Sequence, residues 1–87
     1  MKAFVVIDGA KRGGQFVSAH RARPDVDSGN TVLEVTVVGP QIDPEIVNIA
    51  RTYDRSTDTH NFAGVYGNYD DARSASGQKG SPLQTKI

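Results

Sequence analysis

The sequence predicts an α+β fold: a small antiparallel sheet, a three-stranded meander plus a fourth strand, with one main helix packed on a face and a short second helix, in the order β-β-β-α-β-α. Three observations predict it. Thr31 to Val38 holds six β-branched residues in eight, the composition of a strand. Ile46, Ile49, Ala50 and Tyr53 recur at i, i+3, i+4 and i+7 behind an Asp43-Pro44-Glu45 start, the signature of an amphipathic helix. Glycine- and proline-containing turns punctuate the apolar runs at short intervals.

Taken in order, Lys2 to Asp8 is a continuous apolar run stopped by Asp8-Gly9, which reads as a buried strand. Gly9 to Gly14 is a turn carrying the basic pair Lys11-Arg12. Gln15 to Arg23 follows as a second strand of edge type, since neither of its faces is cleanly apolar. Pro24 to Asn30 has turn composition, and in the strand Thr31 to Val38 the residues Leu33, Val35 and Val37 are expected inward. Gly39-Pro40 ends that strand, and the main helix is expected over Pro44 to Asp54. A short strand, Asn61 to Tyr66, then leads into a helix over Tyr69 to Ala75, capped by Asn68 and stopped by Gly77. Residues 1–77 form one domain on this reading, and 78–87 a flexible C-terminal tail.

Charge divides unevenly. Residues 1–23 hold five bases against one acid, and residues 24–87 five bases against nine, so a net +4 faces a net −4 in a chain of formal charge zero. The split suggests a basic surface built from Lys11, Arg12, Arg21 and Arg23 set against an acidic remainder. The chain has no cysteine, which excludes disulfides and thiolate chemistry. The N-terminal apolar run Ala3–Ile7 is far short of the roughly 20 residues that span a bilayer, so a cytoplasmic protein without membrane contact is expected.

Motifs for chemistry fail on inspection. In Gly9 to Gly14 the bases precede the paired glycines and a strand follows, the reverse of a phosphate-binding loop. Asp25-Val26-Asp27-Ser28-Gly29 opens like a calcium loop, but Gly29 falls where a ligand is needed and Thr36 where the closing glutamate belongs. His20 and His60 lack the spacing of a zinc site, so no metal or cofactor is expected. The adjacent Asp70 and Asp71 point about 100° apart on a helix and suit its N-terminal dipole better than acid–base work. Phe4 and Phe16 belong in the core rather than among the bases, so direct nucleic-acid binding is not favoured. Tyr66 and Tyr69 flank a turn, and an exposed tyrosine there suits a protein interface.

The strand Lys2–Ile7 together with Gly64-Val65-Tyr66-x-x-Tyr69-Asp70-Asp71-Ala72-Arg73 resembles small accessory proteins of bacteriophages, over less than a third of the chain. That group includes inhibitors of host machinery, anti-CRISPR proteins among them, which act by binding. The resemblance implies a non-enzymatic protein that inhibits or modulates a larger protein or protein–nucleic acid complex, in the host cytoplasm. Lys11, Arg12, Arg21, Arg23, Tyr66 and Tyr69 are the candidate partner-binding residues. The alternatives are a small enzyme or ligand-binding domain using His20 or His60 with nearby aspartates, or an oligomerising structural subunit. A homodimer is expected as well, because so few large apolar residues leave surface to be buried by association.

Overall fold

The computed structural model describes residues 1–9 and 14–87. Its elements are β1 (Lys2–Asp8), β2 (Gln15–His20), β3 (Asn30–Thr36), β4 (Ile46–Asp54), β5 (Thr59–Tyr66), α1 (Tyr69–Ser76) and β6 (Leu83–Lys86). They build two three-stranded antiparallel sheets, ordered β2-β1-β3 and β5-β4-β6, whose inner faces share one core. No helix among the described residues is long and apolar enough to cross a membrane.

The two sheets follow one plan. In each, the first strand lies in the middle, the second folds back beside it, and the third returns along its other edge. This corrects the expected meander. β1 is the most continuously apolar strand and takes the centre, where both its edges are paired and both its faces covered. Ala3, Val5 and Ile7 face the opposite sheet. Val6 points the other way and is still only 3% exposed, because the connection Arg21–Gly29 crosses that face, with Arg23 stacked 5.6 Å from the centre of the Phe4 ring.

The larger correction concerns residues 44–54, expected as the main helix and found as the central strand β4. Val47, Asn48, Ile49 and Ala50 are buried in succession. Val47 and Ile49 meet β1 and its neighbours in the core, while Asn48 and Ala50 lie on the other face, beneath α1. A strand covered on both sides loses its period-two signature, and the spacing of Ile46, Ile49, Ala50 and Tyr53 then imitates a helix. The Asp43-Pro44-Glu45 signal is real but local. Asp43 Oδ1 accepts the Glu45 N–H at 2.9 Å and its carbonyl accepts the Ile46 N–H at 3.1 Å, which makes a turn into a strand.

The short helix is the one the sequence predicts. Asn68 Oδ1 accepts the Asp71 N–H at 3.0 Å, Asp70 and Asp71 occupy the first turn, and Gly77 ends it at φ 75°. Ala72 and Ser76, one turn apart, are its buried residues. Ser76 Oγ accepts the Arg51 N–H at 3.1 Å and donates to the Ala72 carbonyl at 2.7 Å. It thereby satisfies a β4 amide that lies beyond the reach of β6. Asn48 has no such help: it is 3% exposed and its Oδ1 is unpaired among the described residues, an arrangement that costs about 1–3 kcal/mol.

Residues 78–87, expected as a tail, instead carry β6, which pairs with β4 from Ile46↔Lys86 to Ile49↔Leu83. Leu83 and Ile87 pack on the core, and the Ile87 N–H donates to the Glu45 carbonyl at 2.9 Å. Without that return the second edge of β4 would lack its ladder. Of the expected core residues, Val37 and Ile49 are buried and Val35 packs partly against them, but Leu33 is 40% exposed. Tyr53 lies outside the core, at the far end of β4.

Candidate partner-binding surface

One end of the molecule gathers the end of β3, the start of β4, the end of β5 and the N-terminus of α1 around the loop Gly39–Glu45. The loop is fixed by three anchors distant in sequence and one local one. Val38 leaves β3 to bridge β5: its N–H donates to the Val65 carbonyl at 3.0 Å and its carbonyl accepts the Gly67 N–H at 2.8 Å. The Pro40 carbonyl accepts Asn68 Nδ2 at 3.3 Å, and Gln41 Nε2 donates to the Ile46 carbonyl at 3.0 Å. The Pro44 carbonyl accepts the Arg21 guanidinium. Between these anchors Ile42 projects outward, 84% exposed. Leaving such a side chain in water forgoes about 1.5–3 kcal/mol of burial.

Ile42 is not isolated. Pro40, Ile42 and Tyr69 line a shallow groove with Asn68, Asp70 and Asp71, and the neighbouring Val38 is 50% exposed and Tyr69 52%. Exposed carboxylates surround the apolar patch: Asp43 and Glu45 on the loop, Asp70 and Asp71 on α1. The surface on offer is an apolar knob beside exposed carboxylates.

The expected contact residues divide over the fold. Tyr69 and Arg21 both reach the Gly39–Glu45 loop, one beside Pro40 and Ile42 and the other at Pro44. Tyr66 is half-buried, its ring lying over the Gly64 backbone, and offers little contact area. Arg23 is exposed but stacked on Phe4. Lys11 and Arg12 lie outside the described residues. The flanking Gly14 is separated from Arg21 by the length of β2, about 20 Å at 3.3 Å per residue.

The sequence missed Ile42 and Val38. A signal existed: an isoleucine between Pro40 and Pro44, in a stretch that continues neither the preceding strand nor the following element, has no regular structure to bury it.

Two histidine clusters remain. Ser18 Oγ and His20 Nε2 are 2.7 Å apart on the outer face of β2, across a groove from Asp25 and Asp27. Among the described residues no carboxylate hydrogen-bonds His20, so the pair lacks an orienting acid. His60 stacks on Tyr53 with ring centres 5.2 Å apart, and Tyr53 Oη donates to Asp58 Oδ1 at 2.5 Å. Among the described residues no group of three acidic or histidine side chains is placed to hold a metal ion.

The hydrogen bond to Asp58 raises the Tyr53 pKa above its ordinary 10.0, with smaller contributions from desolvation and from the Asp58 and Asp54 charges. The neutral phenol is the bonded form, so the bond's stabilisation is complete below about pH 10 and lost as pH climbs through the raised value. In an NMR titration of ring-labelled tyrosine, Tyr53 should ionise later than it does in Asp58→Asn. Identical titration curves for the two proteins would refute the bond.

Comparison with known families, curated proteins and solved structures finds no match to this chain.

Proposed function

We propose that the protein is a non-enzymatic binder that inhibits or modulates a larger protein or protein–nucleic acid assembly, and that it docks through Ile42, Tyr69 and Val38. The observation carrying this reading is Ile42, 84% exposed on a loop anchored on both sides of it. A large apolar side chain held out by a fixed loop contributes nothing to its own fold. It is preorganised for a pocket elsewhere, and preorganisation lowers the entropy cost of association. The acidic rim of Asp43, Glu45, Asp70 and Asp71 selects the occupant: a protein surface with an apolar pocket bordered by lysine or arginine. Arg21, bonded to the Pro44 carbonyl, borders this surface and extends it toward acidic neighbours of that pocket, with Arg23 two residues further along the chain. This is the mode of action that the likeness to phage-encoded inhibitors implies, with a bacterial cytoplasm as its setting.

The test is quantitative capture from bacterial lysate with four baits: wild type, Ile42→Ser/Tyr69→Ala, Arg21→Glu/Arg23→Glu, and Val17→Ser as a control at an exposed apolar residue elsewhere. Removing two central anchors should weaken partner capture by about thirtyfold or more, equivalent to about 2 kcal/mol, and leave the thermal transition in place. Val17→Ser should bind like wild type, and rising salt should weaken wild-type binding. A partner kept by the Ile42/Tyr69 variant but lost by the Arg21/Arg23 variant would place the interface on the basic side and overturn the assignment.

A further inference from the structure

We infer that two copies of the chain pair through the free edge of β3, antiparallel and centred on Leu33, joining two three-stranded sheets into one continuous sheet across a twofold axis. The occupant of this edge is a second copy, and the inference stands independently of the docking surface above.

The first ground is the edge itself. Among the described residues β3 pairs with β1 alone, in an unbroken register from Lys2↔Thr36 to Asp8↔Asn30. It carries no proline, no bulge and a single charge, Glu34. The opposite edge of the sheet is protected: β2 is bulged against β1, and the Gly14 carbonyl at its start accepts the Phe62 N–H at 2.9 Å. Natural sheets blunt an open edge by such devices; along Asn30–Thr36 β3 has only the charge of Glu34, and it is not until past the strand's end that Val38 bridges β5.

The second ground is Leu33. Its cross-strand partner Val5 is 0% exposed, yet Leu33, on the same inner face, is 40% exposed. The second sheet stops short of it, so the core ends in an uncovered leucine at the open edge.

The third ground is register. Val37 N–H donates to the Met1 carbonyl and Gly9 N–H to the Gly29 carbonyl, which fixes the alternation along the β1–β3 ladder. Thr31, Leu33 and Val35 turn their backbone groups toward β1, so Val32, Glu34 and Thr36 present theirs to the free edge. A twofold axis normal to the sheet keeps each inner face on the same side, so the axis must pass through a residue position. Centring on Glu34 would set two carboxylates directly opposite, which is unfavourable. Centring on Val32 would set Leu33 against threonine. Centring on Leu33 lets Val32 and Glu34 exchange backbone hydrogen bonds across the seam and places the two leucines in a closely spaced pair, about 4.5 Å between Cα atoms.

The chain has no cysteine, so position 33 can be tested by cross-linking. A self-opposed pair at that spacing lies within disulfide range. Leu33→Cys should form a disulfide dimer on mild oxidation at micromolar concentration, and Val32→Cys, Glu34→Cys and Tyr69→Cys should not. Wild type should sediment at about twice 9.3 kDa at tens of micromolar. Val32→Pro, which removes an edge donor without touching the β1 ladder, should sediment as a folded monomer, with dimer affinity weakened at least tenfold. A wild-type monomer at hundreds of micromolar would overturn the inference, as would a dimer indifferent to Val32→Pro. Preferential cross-linking at position 32 or 34 would overturn the Leu33 centre.

Discussion

Ile49→Ala is expected to lower the unfolding free energy by about 2–5 kcal/mol, the range for truncating a buried aliphatic side chain. Ile49 is 0% exposed and heads the largest fully buried side chains. Its strand is central, with Val65 opposite on one side and Leu83 on the other, and its side chain faces the β1 sheet across the core. Neighbours held by two ladders cannot collapse into the space left behind, so the cavity persists and the cost should fall in the upper half of the range. For a domain of this size, with a total near 0.05–0.15 kcal/mol per residue or about 4–13 kcal/mol, that is a large share. Urea unfolding should show the midpoint falling at unchanged slope, with Ile49→Val losing only about 0.5–1.5 kcal/mol. An unaltered midpoint for Ile49→Ala would mean that the two sheets do not meet at this residue.

Gly80→Ala is the second large effect. Gly80 lies in the connection between α1 and β6, where a Cβ would run into the carbonyl oxygens of Ser76 and Arg51. Both obstacles are backbone, one closing the last turn of α1 and the other on the central strand, so neither can swing aside. The next residue is tied there too, Ser81 N–H donating to the Arg51 carbonyl at 3.1 Å. The methyl group must therefore lift the connection, break that bond and draw Ser76 away from the Arg51 amide. A cost at or above the top of the about 1–3 kcal/mol typical of overpacking is expected. Gly77→Ala provides the contrast. Gly77 has open space around its would-be Cβ and only its φ of 75° to strain, so it should lose about 1 kcal/mol. Hydrogen exchange should show the Arg51 amide losing protection in Gly80→Ala and keeping it in Gly77→Ala. Equal stability of the two variants would refute the close approach.

These two sites also show where the sequence was legible. α1 could be read because its instructions are local: a capping asparagine, two acids in the first turn, a glycine stop. β1 could be read because a continuous apolar run ends in Asp8-Gly9. β4 could not, since its period is erased by burial on both faces, and one of those faces is covered by a helix that comes later in the chain. β6 has little pattern of its own and becomes a strand because β4 leaves an edge for it. The turn composition of residues 24–30 marks a reversal without saying which edge of β1 the chain returns to. At the proposed docking surface, Tyr69 and Arg21 could be picked out by residue type. Ile42 left only the hint of its place between Pro40 and Pro44, because the fixing of its loop depends on contacts made by Arg21, Ile46 and Asn68.

The shared plan of the two sheets has a consequence for how the molecule divides. Each half covers its own outer face with a segment lying between its last two strands, Arg21–Gly29 in the first and α1 in the second. The inner faces have no such provision: Val5 and Ile7 depend on Val47 and Ile49, and those on them. A chain severed within Gly39–Glu45 would thus yield two pieces, each sealed outside and bare inside, and each the natural complement of the other. In engineering terms this is a split protein, whose reassembly would rebuild the core and the Ile42 surface together.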